Sequence, residues 1–195
     1  KTERDHIYFG TVLEHILLQN LCAFYDVGEH NEMRLHGADW NDALDMAWEK
    51  GESVAFTCAY AGNLRNIAKT LRQLEEISGS SKIEIAHEME DLLAGSVELY
   101  EDAARKQALL AGYAKKCEHN ISGDTIVVRL DQLAANLEGK ADWMMKNIRA
   151  NEWVKDGEDG WFNGYYDNHG RKVEGVMDES VRMMLTGQVF AIMSG

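Results

Sequence analysis

The sequence predicts an all-α protein, and three observations carry that reading. Proline is absent from all 195 residues, where average usage of roughly 5% would supply about ten, and proline is the residue helix interiors exclude. Apolar residues recur at helical spacing, most clearly at Leu64, Ile67, Leu71 and Leu74. Little of the chain reads as strand, with only Thr125 to Leu130 ambiguous between a short strand and a first helical turn.

Taken in order, residues 7–25 carry Phe9, Leu13, Ile16, Leu17, Leu21 and Phe24, a wide apolar face that predicts a buried helix. Asp26-Val27-Gly28 ends it, with Gly28 as the residue after the cap. Residues 29–39 hold His30, His36 and Gly37 without a period and read as a loop. The strongest helix runs from Ser53 to Ile77, with Arg65, Lys69, Arg72 and Glu75 facing away, and Ser78-Gly79-Ser80 stops it. Ser81 and Glu84 have capping-box spacing and open a helix through Ile85, Met89, Leu92 and Leu93. A further helix spans about Ser96 to Lys116, lightly interrupted at Gly112, and Gly123-Asp124 is a turn. Leu133, Leu137, Met144 and Ile148 carry the next helix to about Asn151.

At Lys155 the composition changes. Residues 155–176 hold five glycines with Trp161, Phe162, Tyr165 and Tyr166. Aromatics at that density are packed or bind something, so this is a loop or small hairpin rather than a linker. A last helix is expected from Ser180 to Met193, with Met183, Met184 and Phe190 as core. The whole, 1–195, reads as one helical segment of about six helices.

Composition narrows function. Twenty basic against 33 acidic residues give a formal charge of −13. Nucleic acid and anionic membrane both demand basic surface, so neither is an expected partner. A local phosphate site stays open, because a few basic groups suffice. No apolar run approaches the roughly 18 residues of a membrane span. Cys22, Cys58 and Cys117 are odd in number and far apart, which fits free thiols in a reducing, cytoplasmic setting. The chain opens at Lys1 rather than Met and ends at Ser194-Gly195 straight after an apolar run, the look of a piece of something longer.

The chemistry concentrates in Leu35-His36-Gly37-Ala38-Asp39-Trp40-Asn41-Asp42-Ala43-Leu44-Asp45. Its bland reading is a turn and helix start, with Asp39 or Asn41 capping and acids favoured by the helix dipole. Its functional reading is cleavage of a glycosidic bond, in which a carboxylic acid protonates the departing sugar oxygen. Where water attacks, a second carboxylate must activate it. Where phosphate attacks, the nucleophile is already anionic and a single acid suffices. Trp40 offers a flat surface for a sugar ring, and Asp39 and Asn41 offer hydrogen-bond partners for hydroxyls. Other motifs are weak. His87-Glu88-Met89-Glu90-Asp91 lacks the second histidine of a zinc protease site, and Asp156-Gly157-Glu158-Asp159-Gly160 lacks EF-hand spacing.

Gly37-Ala38-Asp39-Trp40-Asn41-Asp42, followed by Gly51-Glu52-Ser53-Val54, resembles the active-site region of the family 94 glycoside phosphorylases. Gly160-Trp161-Phe162-Asn163-Gly164-Tyr165-Tyr166-Asp167 is similar to their Gly-Trp-Tyr-x-x-Ala-Tyr-Asp segment. Gly187-Gln188-Val189-Phe190-Ala191-Ile192-Met193-Ser194-Gly195 is similar to their Gln-x-Trp-Ala-Val-x-Ser-Gly segment. Phe190 stands where those proteins usually have Trp, and Asn163-Gly164 replace a commoner Leu-Arg-Ala. With Val27-Gly28-Glu29-His30 included, the pattern is closer to the related β-1,3-oligoglucan phosphorylases of families 149 and 161.

The resemblance implies about half of an (α/α)6 barrel of paired helices. It implies Asp42 as general acid, with Asp39, Trp40, Asn41, Tyr166 and Gln188 binding substrate. Inorganic phosphate would be a co-substrate, with no cofactor and no metal, and α-glucose 1-phosphate a product. A β-linked gluco-oligosaccharide would be the other partner, with a homodimer as an allowed assembly. It also implies that the residues binding phosphate lie outside this chain. Two alternatives stand beside it: an inverting hydrolase, or a non-catalytic helical module that binds a glycan or a protein.

Overall fold

The computed structural model describes residues 1–37 and 42–195, with Asp42 and Ala43 described by their backbone alone. Helix α1 spans Val12–Tyr25. The Thr11 hydroxyl accepts the Glu14 N–H at its start, and the Asp26 N–H returns to the Cys22 carbonyl at its end. The expected helix over residues 7–25 therefore starts later: Ile7 and Phe9 lie before it and are exposed. Gly28 has a different reason from the one expected. A Cβ there would lie 2.2 Å from the Glu52 carboxyl carbon, so glycine makes room for a buried side chain.

Strand β1 (Met33–Arg34) and a 3-10 helix (Asp42–Ala47) lead to β2 (Glu52–Ser53), which runs directly into helix α2 (Val54–Ser78). Ser53 caps α2 by accepting the Phe56 N–H at 3.0 Å. Gly79 closes it in the left-handed region at φ 67°, where glycine carries no Cβ penalty. The buried line on α2 is Ala61, Leu64, Ala68 and Leu71, all fully buried, while Leu74 is partly exposed. The alanines let the partner helix approach closely.

The first large correction follows α2. Lys82–Ala86 is strand β3, not a helix opened by Ser81. Ile83 and Ile85 alternate with Lys82 and Glu84, a period of two that capping-box spacing obscured. The strand is completed by a distant partner. After a 3-10 helix (His87–Leu93), α3 (Val97–Tyr100) and α4 (Ala103–Lys116), β4 (Thr125–Arg129) pairs antiparallel with β3, Ile85 opposite Ile126. Helix α5 (Leu130–Asn151) begins there, its Leu130 N–H bonded to the Ser81 carbonyl. The antiparallel β3–β4 pair brings α5 back along α2 in the opposite direction, with Leu133, Ala134, Leu137 and Ala141 packed into one core with the α2 line. Exposed pairs Arg65–Asp142 and Arg72–Glu138 run along the same seam.

The C-terminal part adds three more strand pairings. Strands β5 (Trp153–Asp156) and β6 (Asp159–Phe162) form a hairpin, one of the two forms expected for the aromatic segment. Strand β7 (Tyr165–Tyr166) joins β2. Strands β8 (Gly175–Met177) and β9 (Ser180–Arg182) form another hairpin, turned at Asp178 and Glu179, both at positive φ. The helix expected from Ser180 is thus delayed to α6 (Leu185–Ser194).

Among the described residues the structure is mixed, 53% helical and 18% strand with four small antiparallel sheets, rather than all-α. The expectation of paired helices making half of an (α/α)6 barrel is corrected with it, because strands intervene along the chain between the helices and pair into sheets of their own. Among the described residues no helix is long and apolar enough to cross a membrane.

Candidate functional site

Three stretches that are far apart in sequence meet around β2. In the three-stranded sheet β1-β2-β7, Glu52 lies opposite both Arg34 and Tyr166. Directly opposed residues share a face of the sheet, so these three side chains start from one surface. His30 stacks on the Tyr166 ring at 3.7 Å between centroids and 10° between planes.

Glu52 is the pivot of this arrangement and is 2% exposed. Its two oxygens accept the His30 N–H at 3.1 Å, the Glu32 N–H at 3.1 Å and His30 Nδ1 at 2.8 Å. A carboxylate from the start of α2 therefore shapes the loop after α1. Glu152 does the same for the aromatic segment: it accepts the Tyr166 hydroxyl at 2.8 Å and the Asn163 amide at 3.1 Å. Burial, together with Glu152, pushes the Tyr166 hydroxyl well above the usual tyrosine range. Glu174 accepts the Gly164 and Met184 N–H groups, and burial raises its pKa. Deeper still, Glu32 is fully buried, its pKa lifted by desolvation and by Glu152.

Gln188 of α6 brackets Phe162, accepting its N–H at 3.0 Å and donating to its carbonyl at 2.7 Å. Beside it Gly164 and Gly187 touch backbone to backbone. A Cβ on Gly187 would lie 3.1 Å from the Gly164 Cα.

A cleft of about 540 Å³ opens beside this sheet, lined among others by His30, Arg34, Lys50, Glu52, Asn168 and His169. Asn168 ties it to the acid-bearing stretch. Its side-chain oxygen accepts the Glu49 and Lys50 N–H groups at 2.8 and 2.9 Å, and its own N–H donates to the Met46 carbonyl. The turn that supplies Asn168 is held by Asp167, whose carboxylate accepts from the His169 and Arg171 N–H groups and from the Arg171 guanidinium. Burial opposes ionisation of Asp167, yet those bonds keep its pKa below the usual carboxylate range.

No family model and no curated protein matches the chain.

The expected site residues are distributed as follows. Asp39, Trp40 and Asn41 lie outside the described residues. Asp42 opens the 3-10 helix that leads to the Lys50 turn, and its side chain lies outside what is described. Tyr166 is buried, its hydroxyl held by Glu152 and its ring backing His30. Gln188 is engaged with the Phe162 backbone. Both have partners within the protein. The roles of Glu52, Glu152 and Glu174 as buried acceptors come from the structure. Glu52 was legible as part of Gly51-Glu52-Ser53-Val54, but nothing in spacing marks Glu152 or Glu174. Among the described residues no cluster of three or more His, Cys, Asp or Glu could hold a metal ion. The cleft presents the Arg34 and Lys50 cations, the Glu29 and Glu52 carboxylates, two imidazoles and an amide together, an arrangement of donors and acceptors that can hold sugar hydroxyls.

Proposed function

We propose that this chain carries the acid segment of an inverting glycoside phosphorylase acting on β-linked glucans. The observation that supports the reading is the meeting of the three resembling stretches. Gly51–Val54 pairs with Tyr165–Tyr166 through β2 and β7, and Gln188 seats α6 on Phe162. Segments that cooperate on one substrate need that proximity.

In the proposed reaction a phosphate oxygen attacks the anomeric carbon from the face opposite the leaving oxygen. The carbon–oxygen bond to the shortened glucan breaks, and the Asp42 carboxyl gives that oxygen its proton. The proton is replaced from the hydrogen phosphate, which leaves as α-glucose 1-phosphate, so charge and atoms balance. Asp39, Trp40 and Asn41 hold the glucosyl unit. Tyr166 and Gln188 keep the surrounding segments in register. A cytoplasmic setting goes with this reading, since the sugar phosphate is a product useful inside a cell and Cys22, Cys58 and Cys117 are free thiols.

The test is sugar release from β-linked gluco-oligosaccharides with and without inorganic phosphate. Phosphate-dependent formation of α-glucose 1-phosphate is expected. The Asp42→Asn variant should lose about 10²- to 10⁴-fold in rate, the range of general acid catalysis, whereas Asp45→Asn, at an exposed position, should not. Release of free glucose without phosphate would identify a hydrolase instead. Glycan binding with no turnover would identify a silent binding module.

A further inference from the structure

We infer that His30 is a specificity determinant that accepts one sugar hydroxyl in the cleft. Glu52 keeps the proton on Nδ1, which leaves Nε2 of the neutral ring as a bare acceptor toward the ligand.

Glu52 decides which nitrogen is protonated. Its carboxylate already accepts the backbone N–H groups of His30 and Glu32, so it meets the imidazole as an acceptor too, and Nδ1 donates to it at 2.8 Å. The other nitrogen of a neutral imidazole then keeps its lone pair.

The ring is also fixed in place. It stacks on Tyr166 at 3.7 Å between centroids, and Tyr166 is itself held through its hydroxyl by Glu152. The Glu52 side chain is 3% exposed and the His30 side chain 30%, so the carboxylate lies behind a ring that forms part of the cleft wall. Gly170 faces the free edge of that ring. A Cβ there would come within 3.1 Å of Cε1 and 3.7 Å of Nε2, and glycine leaves the edge uncovered. Among the described residues the ring's hydrogen bond runs through Nδ1. A histidine kept only to tie down its own loop needs that bond and nothing more. Here the stacking and the bare glycine also orient Nε2, which complements an O–H.

The surroundings favour a neutral ligand. Arg34 and Lys50 share the cleft with Glu29 and Glu52, so neither sign of charge is preferred. Hydroxyls both donate and accept, and a mixed lining suits them. A fixed acceptor discriminates, because an analogue lacking the hydroxyl leaves the nitrogen unpaired beneath the ligand. That the hydroxyl belongs to a β-linked glucan rests on the proposed function, whereas the bare Nε2 rests on the bonding alone.

Long-range proton–nitrogen NMR of the wild type at mildly alkaline pH should show His30 protonated at Nδ1 and bare at Nε2, and in Glu52→Gln the proton should move to Nε2. Methyl β-glucoside and its monodeoxy analogues are then titrated by the same method. Loss of one particular hydroxyl should weaken wild-type binding about three- to tenfold, the scale of one neutral hydrogen bond. The parent glucoside should shift the Nε2 resonance and that analogue should not. Both readings are made on the wild type and need no variant to fold. In His30→Asn, which keeps a donor for Glu52 but has no atom at Nε2, the same deletion should cost nothing further. His30→Gln, whose amide oxygen reaches toward the Nε2 position, should recover part of the discrimination. A merely structural role predicts the reverse, with Asn serving and Gln failing. A proton on Nε2 in the wild type, an equal penalty for every deletion in wild type and His30→Asn, or no binding of the parent glucoside would overturn the inference. Discrimination through His30 by a protein that releases free glucose without phosphate would leave it standing and reject the phosphorylase reading.

Discussion

Replacing Glu52 by Gln leaves the side-chain shape unchanged but puts an NH2 group where three donors converge. In the native protein the two Glu52 oxygens receive the His30 N–H, the Glu32 N–H and His30 Nδ1 at 2.8–3.1 Å, in a position 2% exposed to solvent. An amide has one acceptor oxygen and no charge, so the backbone donors share one neutral acceptor in place of a carboxylate, and His30 Nδ1 must give up its proton to accept from the new NH2 group. Each hydrogen bond to a charged group contributes about 1.5–3 kcal/mol, and an unsatisfied buried donor costs about 1–3 kcal/mol. Because the bonds share one carboxylate they are not additive. A net loss of about 3 kcal/mol is therefore expected. For a domain of this size that lowers the melting temperature by about 6–12 °C. Urea unfolding gives the free energy and calorimetry the melting temperature, with Glu49→Gln at a neighbouring exposed position as control, expected within about 0.5 kcal/mol of wild type. A Glu52→Gln loss no larger than that control would refute the role given to Glu52 as the post that holds the loop after α1.

Further outcomes are open to measurement. Gly187→Ala places a Cβ 3.1 Å from the Gly164 Cα, and backbone cannot swing aside as a side chain can, so a loss of about 1–3 kcal/mol is expected in urea unfolding. Leu64→Ala, at a fully buried position between α2 and α5, should cost about 2–5 kcal/mol. Lys140 is buried among Phe24, Tyr25 and Tyr100, and burial pushes its pKa down from 10.5 to about 7. The unfolded chain therefore binds more protons than the folded one between about pH 7 and 10.5, so this group makes stability rise with pH across that window. The difference in unfolding free energy between wild type and Lys140→Met should grow in the wild type's favour as pH rises through it. A difference independent of pH would show that Lys140 is not desolvated.

The long helices were legible because each buries a stripe that local periodicity reveals. The span Val54–Ser78 was expected almost to the residue, since Ser53 caps it and Gly79 ends it, both through bonds formed within a few residues. The strands were hidden because their partners are remote. Lys82–Ala86 looks like a helix start until Thr125–Arg129 is laid beside it. Glu52–Ser53 is too short to show any period, and it becomes a strand only between Met33–Arg34 and Tyr165–Tyr166. The delayed start of α6 has the same origin, since Ser180–Arg182 is claimed by Gly175–Met177.

By itself, the sequence determined the long helices and the acidic charge, and it marked the stretch around Asp42 as a candidate for chemistry, because propensity, charge and motif are properties of neighbouring residues. Tertiary structure alone decided that Glu52 reaches back to His30, that Tyr166 and Gln188 hold scaffold rather than face outward, and that Arg34 and Lys50 share a cleft with Asn168 and His169. Those are choices of partner between residues up to about 140 apart, and a carboxylate's or cation's role depends on which partner folding brings to it.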